Sequence, residues 1–316
     1  MGVDIFFVIS GFIMYFVHRR DFEQPNIVGR FLLRRVVRVV PTYWLLTTLT
    51  VVGLVFLPGL FNSRSPDWAW FTASYFFVPW QSPAGDMSPP VGPGWTLNYE
   101  MYFYVIFGSL MVCPRRVALP AITAFLAGSV LLGLFLKPEL PILVMMSSAL
   151  LIEFLCGIWI AWAFTRDVTL STMLRAGLLI AAAVVFVAAP TLYTNGDLAT
   201  WWRLPFFGLP AAALMAVVIL RSGLHMPKKT SGAVTRLFVK LGDSSYALYL
   251  THIFTLRIAT LVLHHLLPPL PPVLEFALIF ILTVVVGHVF FLLVERPIYH
   301  FLKIRLLIKK NQKVPV

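Results

Sequence analysis

The chain has 316 residues, 59% of them hydrophobic and only 12% charged, with a mean hydropathy of +0.86. Soluble domains run at about 45–50% apolar and about 25% charged residues, so this composition excludes a soluble enzyme and indicates an all-α polytopic membrane protein. The net charge of +12 flanks apolar segments instead of forming a basic domain, which argues for loop charges and against a nucleic-acid partner.

A bilayer-crossing helix needs about 20 apolar residues. Nine segments come near that length: Val3–Val17, Thr42–Phe61, Trp95–Cys113, Val117–Leu136, Ile142–Phe164, Ala176–Leu192, Leu204–Leu220, Ser244–Leu263 and Val273–Leu293. The breaks between them are rich in Pro, Gly or charge. No repeat and no separate soluble segment interrupts them, so residues 1–316 are expected to form a single integral membrane domain. Cys113 and Cys156 lie far apart in or beside apolar segments. They suggest neither a disulfide framework nor a metal site.

Basic residues alternate from loop to loop. Arg19, Arg20, Arg30, Arg34, Arg35 and Arg38 follow the first segment. Arg115 and Arg116 follow the third, and Arg166 and Arg175 the fifth. Arg221, Lys228, Lys229, Arg236 and Lys240 follow the seventh. Arg296, Lys303, Arg305, Lys309, Lys310 and Lys313 lie in the tail. The intervening loops hold only Arg64, Lys137 and Arg203. This asymmetry predicts that the basic loops and the C-terminus are cytoplasmic and that Asn62–Gly94 is outside. Nine spans then place Met1 outside, although "MGVDIFF" has no basic n-region or cleavage site. A further helix is expected to precede residue 1.

Ionisable groups inside a membrane are functional candidates by default. Asp4 and Glu100 sit near the outer ends of their segments, Glu153 in the fifth, His252 and Arg257 in the eighth, and His288 in the ninth. Each also has a structural reading: interfacial or capping for Asp4 and Glu100, helix pairing for Glu153, snorkelling or pairing for Arg257, packing for His288. Glu295, Arg296 and Pro297 are expected to close the ninth helix. In "RFLLRRVVRVVPTYW", Arg30, Arg34 and Arg38 recur every four residues, so a helix would align them on one face. Such a strip suits anionic lipid head groups and equally the phosphates of a donor, which guanidinium binds as a fork.

Five stretches, "GVDIFFVISGFIM", "RRVVRVVPTYW", "GWTLNYEMYFY", "LGDSSYALYLTHIF" and a late "ERP", occur in the order found in the acyltransferase 3 family of integral membrane proteins. The chain resembles the exopolysaccharide and O-antigen O-acetyltransferases of that family from Gly2 to Pro297. The resemblance implies about ten membrane helices, a bacterial inner-membrane location and transfer of an acetyl group from cytoplasmic acetyl-CoA to a sugar hydroxyl. Arg35 and Arg38 match the family's R-x-x-R pair, Ser10 its S-G-F, Trp95 and Glu100 its aromatic-and-carboxylate helix start, and Tyr246, Tyr249 and His252 its S-Y-x-x-Y-L-x-H. The family's first helix usually carries a histidine. This chain starts just after the place where that helix would end, so it is expected to be N-terminally truncated relative to the family.

Acyl transfer from a thioester needs a base for the hydroxyl proton, donors for the oxyanion and cations for the donor's phosphates. Arg34, Arg35 and Arg38 suit the last role. Glu100 and Asp4 lie on the acceptor side with Ser10, Trp95 and Tyr249 as substrate contacts, and His252 is placed to meet the thioester. The expected partners are membrane lipid, acyl-CoA as co-substrate and a polysaccharide or lipid-linked sugar, with no metal and no bound cofactor. The alternatives are a transporter or flippase of lipid-linked sugar, or an inactive truncated fragment. A transporter more often shows repeats or paired broken helices, and none is visible.

Overall fold

The computed structural model describes residues 2–56, 67–192, 200–221, 232–266 and 270–308. Arg64, Lys228, Lys229, Lys309, Lys310 and Lys313 lie outside them. Among the described residues every regular element is helical. In chain order these are α1 (Gly2–His18), α2 (Ile27–Phe56), α3 (Trp68–Tyr75), α4 (Trp95–Leu110), α5 (Arg115–Leu136), α6 (Pro141–Met146) and α7 (Leu150–Phe164). There follow α8 (Thr172–Leu192), α9 (Thr200–Arg203), α10 (Leu209–Ile219), α11 (Ala233–Asp243), α12 (Ser245–Leu266), α13 (Pro272–Phe290) and α14 (Arg296–Leu302). Six stretches of described chain are long and apolar enough to cross a bilayer, and α1 and Leu204–Ile219 are shorter apolar helices. The molecule is a multi-pass, all-α membrane protein.

Several expected boundaries are corrected. The basic strip Arg30–Arg38 is not a loop but the first turns of α2, which runs without a break through Pro41. The turn before it is made by Glu23 and Asn26, both at positive φ. The fifth segment divides into α6 and α7, and a side-chain hydrogen bond from Ser147 to the Leu143 carbonyl (2.7 Å) accompanies the break. The stretch between α2 and α4 contains α3, capped by Asp67 through the amides of Ala69 and Trp70. Glu295, Arg296 and Pro297 do not end the last helix. A wider π turn at Phe291–Glu295 leads directly into α14. Pro297 has no amide hydrogen for the helix ladder, and a local π turn re-forms the bonding around such a site. A second π turn, Leu204–Gly208, carries Pro205 and leads into α10.

The chain divides into two compact units, one of Met1–Gly29 with Asn98–Met226 and one of Arg30–Leu97 with Pro227–Val316. In the first, α1 and α7 touch backbone to backbone. A Cβ on Gly11 would collide with the backbone of Phe154, and one on Gly157 would lie 2.7 Å from the Phe12 amide nitrogen. Membrane helices associate through such small residues because lipid supplies no hydrophobic drive between helices. Phe7, Phe103 and Phe154 fill the space beside this seam, with ring centroids 4.7 Å (Phe7–Phe154) and 4.3 Å (Phe103–Phe154) apart. Successive contacts, Phe7 to Tyr99, Phe22 to Phe107 and Glu23 N–H to Met111 O, show that α1 and α4 run in the same direction. Their starts lie at one end of the unit and their finishes at the other.

In the second unit, α12 packs on α13, where a Cβ on Gly287 would meet the Leu248 backbone at 2.8 Å. The Tyr246 hydroxyl donates to the Val39 carbonyl and ties α12 to α2 (2.8 Å). The tight turn Gly92–Gly94 precedes α4, and Gly94 sits against the Tyr43 ring.

Candidate functional site

The first unit gathers three of the expected residues around buried polar groups. Ser10 on α1 donates to Glu100 Oε1 on α4 (3.2 Å). Tyr104, one turn beyond Glu100, donates to the same oxygen. Glu100 is 6% exposed, so this carboxylate is oriented from two sides in a low-dielectric setting. The Ser10 contact exists because the Gly11–Phe154 and Val8–Gly157 approaches press α1 into the unit. Tyr104 follows from helical spacing, four residues on.

Asp4, expected on the acceptor side, is fully buried and forked by Arg203, with Nε–Oδ1 at 2.9 Å and Nη2–Oδ2 at 3.2 Å. Bidentate guanidinium–carboxylate pairing fixes orientation as well as charge. Glu153 on α7 is also fully buried, and the charges of Asp4 and Arg203 both act on it. Neither of its oxygens meets hydrogen-bond geometry with a described residue, and the nearby Gly208 leaves room for its side chain. The Tyr99 hydroxyl reaches Ser148 in the break between α6 and α7, near Arg203 and Glu153. Asp4, Glu153, Arg203 and Tyr99 thus form one polar cluster near the start of α1, built around the Asp4–Arg203 ion pair.

The second unit holds the other expected residues. Arg34 and Arg38 are exposed and Arg35 is half-buried, its guanidinium 5.5 Å from the Phe31 ring centre. The charge of Arg38 acts on buried Glu295, which also accepts from the Ala247 amide in the first turn of α12. The Tyr249 hydroxyl donates to the Pro93 carbonyl (3.1 Å) and lies 2.8 Å from the Thr96 hydroxyl. This fastens α12 to the turn that starts α4, beside Trp95. His252 Nδ1 is 2.6 Å from the Tyr249 carbonyl. A carbonyl only accepts, so Nδ1 carries a proton; in the neutral imidazole the lone pair would then be on Nε2. His288 Nδ1 lies 3.2 Å from the Ser244 hydroxyl, a packing contact. Among the described residues no group of three or more His, Cys, Asp or Glu gathers as metal ligands would.

A family model described as an acyltransferase domain matches residues 1–292. The chain belongs to the acyltransferase 3 family. It is therefore an O-acyltransferase. It is similar to the exopolysaccharide production protein ExoZ of Rhizobium meliloti (strain 1021), with 32% identity over 260 residues covering 81% of this chain and 76% of that protein. No solved structure matches the acyltransferase.

Sequence reasoning missed Arg203 as a site residue. In the sequence it stands only as one of three cations in the sparsely charged loops. Tyr104 was legible from its i, i+4 spacing to Glu100. The Thr96–Tyr249 contact joins residues 153 positions apart, and no local pattern signals it.

Proposed function

We propose that this acyltransferase moves an acyl group, acetyl in the first instance, from a cytoplasmic acyl-CoA to a hydroxyl of a sugar in an exopolysaccharide or its lipid-linked precursor. The observation that carries the reading is the buried Ser10–Glu100–Tyr104 arrangement in a family member similar to an exopolysaccharide production protein. In the reaction the hydroxyl oxygen attacks the thioester carbonyl carbon and the C–S bond breaks. Coenzyme A leaves as thiolate, and the hydroxyl proton passes to a base. Glu100, held by Ser10 and Tyr104, orients the hydroxyl and accepts that proton. Asp4 acts paired with Arg203, while Trp95 and Tyr249 offer aromatic faces to the sugar. His252 contacts the donor's thioester and helps to hold it beside the acceptor. Arg35 and Arg38, with Arg34 beside them, grip the donor's phosphates.

The loop-charge asymmetry supports a bacterial inner-membrane protein with a cytoplasmic C-terminus. Cysteines placed at Asp167 and Asp86 report the two sides. Labelling of the Asp167 position, but not of Asp86, from outside intact cells would reverse the orientation. For the reaction, purified protein in bilayers is incubated with radiolabelled acetyl-CoA and unacetylated exopolysaccharide. The expected result is base-labile label on the polymer. Label that stays in acetyl-CoA while unmodified lipid-linked sugar crosses the bilayer would replace the enzyme reading with a transporter.

A further inference from the structure

A second cationic feature lies in the first unit and plays no part in the mechanism above. A cavity of about 340 Å³ is lined by Glu23, Arg115, Arg116, Leu119, Trp162 and Arg166. Arg115 and Arg116 open α5, and Arg166 lies just past the end of α7. All three are therefore within a turn of the end of an apolar helix, at head-group depth in a membrane protein. Arg166 is stacked 4.3 Å from the Trp162 ring centre, and Arg115 donates to the Arg19 carbonyl at the finish of α1 (3.5 Å). Among the described residues no ion pair joins Glu23 or any other carboxylate to these three arginines. Three cations facing one carboxylate leave the cavity with an excess charge of +2.

We infer that this cavity is a binding site for the head group of an anionic glycerophospholipid, of which phosphatidylglycerol is the type. The arginines meet the phosphodiester. Glu23 accepts from the head-group hydroxyls, which a phosphate alone would not supply. Leu119 and Trp162 form the apolar wall along which the glycerol and acyl chains leave for the bilayer. Basic pockets between membrane helices select anionic lipids by this combination of charge and depth. The inference stands apart from the donor reading, because Arg34, Arg35 and Arg38 belong to the other unit.

The test uses the full chain in nanodiscs of phosphatidylcholine with and without phosphatidylglycerol, then released into detergent for native mass spectrometry. Wild-type protein should retain phosphatidylglycerol over phosphatidylcholine. The preference should fall by about fivefold for each of Arg116→Gln and Arg166→Gln, the scale of one interfacial cation. An unchanged preference in both variants overturns the site. A photoactivatable phosphatidylglycerol provides a readout on the unmutated protein: cross-links should map to the peptides bearing Leu119 and Trp162, and cross-links confined to other peptides overturn it. Competition of the bound lipid by coenzyme A, with no preference between the two lipids, would instead assign the cavity to the donor's phosphates and sink the lipid reading.

Discussion

The carboxylates of the first unit and the arginine strip of the second are handled in opposite ways. In the first, Asp4, Glu153 and Glu100 are removed from solvent, and two of them are held by protein donors: Arg203 on Asp4, Ser10 and Tyr104 on Glu100. In the second, Arg34 and Arg38 stand exposed on the basic face of α2. A carboxylate that must act on a proton gains from a dry, fixed setting, where each hydrogen bond is stronger than in water. A cation that must catch a large soluble donor gains from exposure. In the proposed reaction buried Glu100 activates the acceptor and the exposed arginines capture the donor. The difference also explains why buried pairs, not surface ones, carry the largest expected mutational effects.

The contrast breaks most directly at Glu100. Glu100→Gln keeps the shape but cannot take a proton, so transfer per membrane-inserted molecule should fall by about 10²–10⁴-fold with insertion unchanged. Full transfer by this variant would leave Glu100 as packing. Arg203→Gln strands Asp4 in a buried site without its counter-ion, and should cost about 3–5 kcal/mol of stability, read as a lowered unfolding midpoint in micelles. Pairing it with Asp4→Asn should recover part of the loss. Without recovery, the two residues do not act as an ion pair.

A smaller effect tests the seam that positions Ser10. Gly157→Ala drives a methyl into the α1 backbone and should cost about 1–3 kcal/mol. Gly128→Ala on α5, with nothing within 4 Å of the added carbon, should be neutral or gain about 0.5–1 kcal/mol. Equal behaviour of the two would show that α1 and α7 do not make the close approach described. Smallest is the donor side. Arg35→Lys and Arg38→Lys keep the charge but lose the planar fork, so each should raise the KM for acyl-CoA about tenfold, some 1.4 kcal/mol, with kcat little changed. Wild-type KM in both would return the strip to lipid binding.

The sequence alone determined the class, the approximate spans and the family, because hydropathy, loop charge and short motifs are local properties that survive without coordinates. It also singled out Glu100, Asp4 and the arginine strip, since charge in an apolar run is conspicuous. The arrangement of the cationic side is half-local. Arg30, Arg34 and Arg38 share a face by spacing alone, but the continuity of α2 through Pro41 does not follow from composition, which places a boundary there. The tertiary structure decided which groups meet. Arg203 and Asp4 are 199 residues apart, and Ser10 and Glu100 are 90 apart. Such partners are chosen by where glycines let backbones approach and where π turns beside proline re-aim a helix. Those are three-dimensional fits that no period of 3.6 residues encodes.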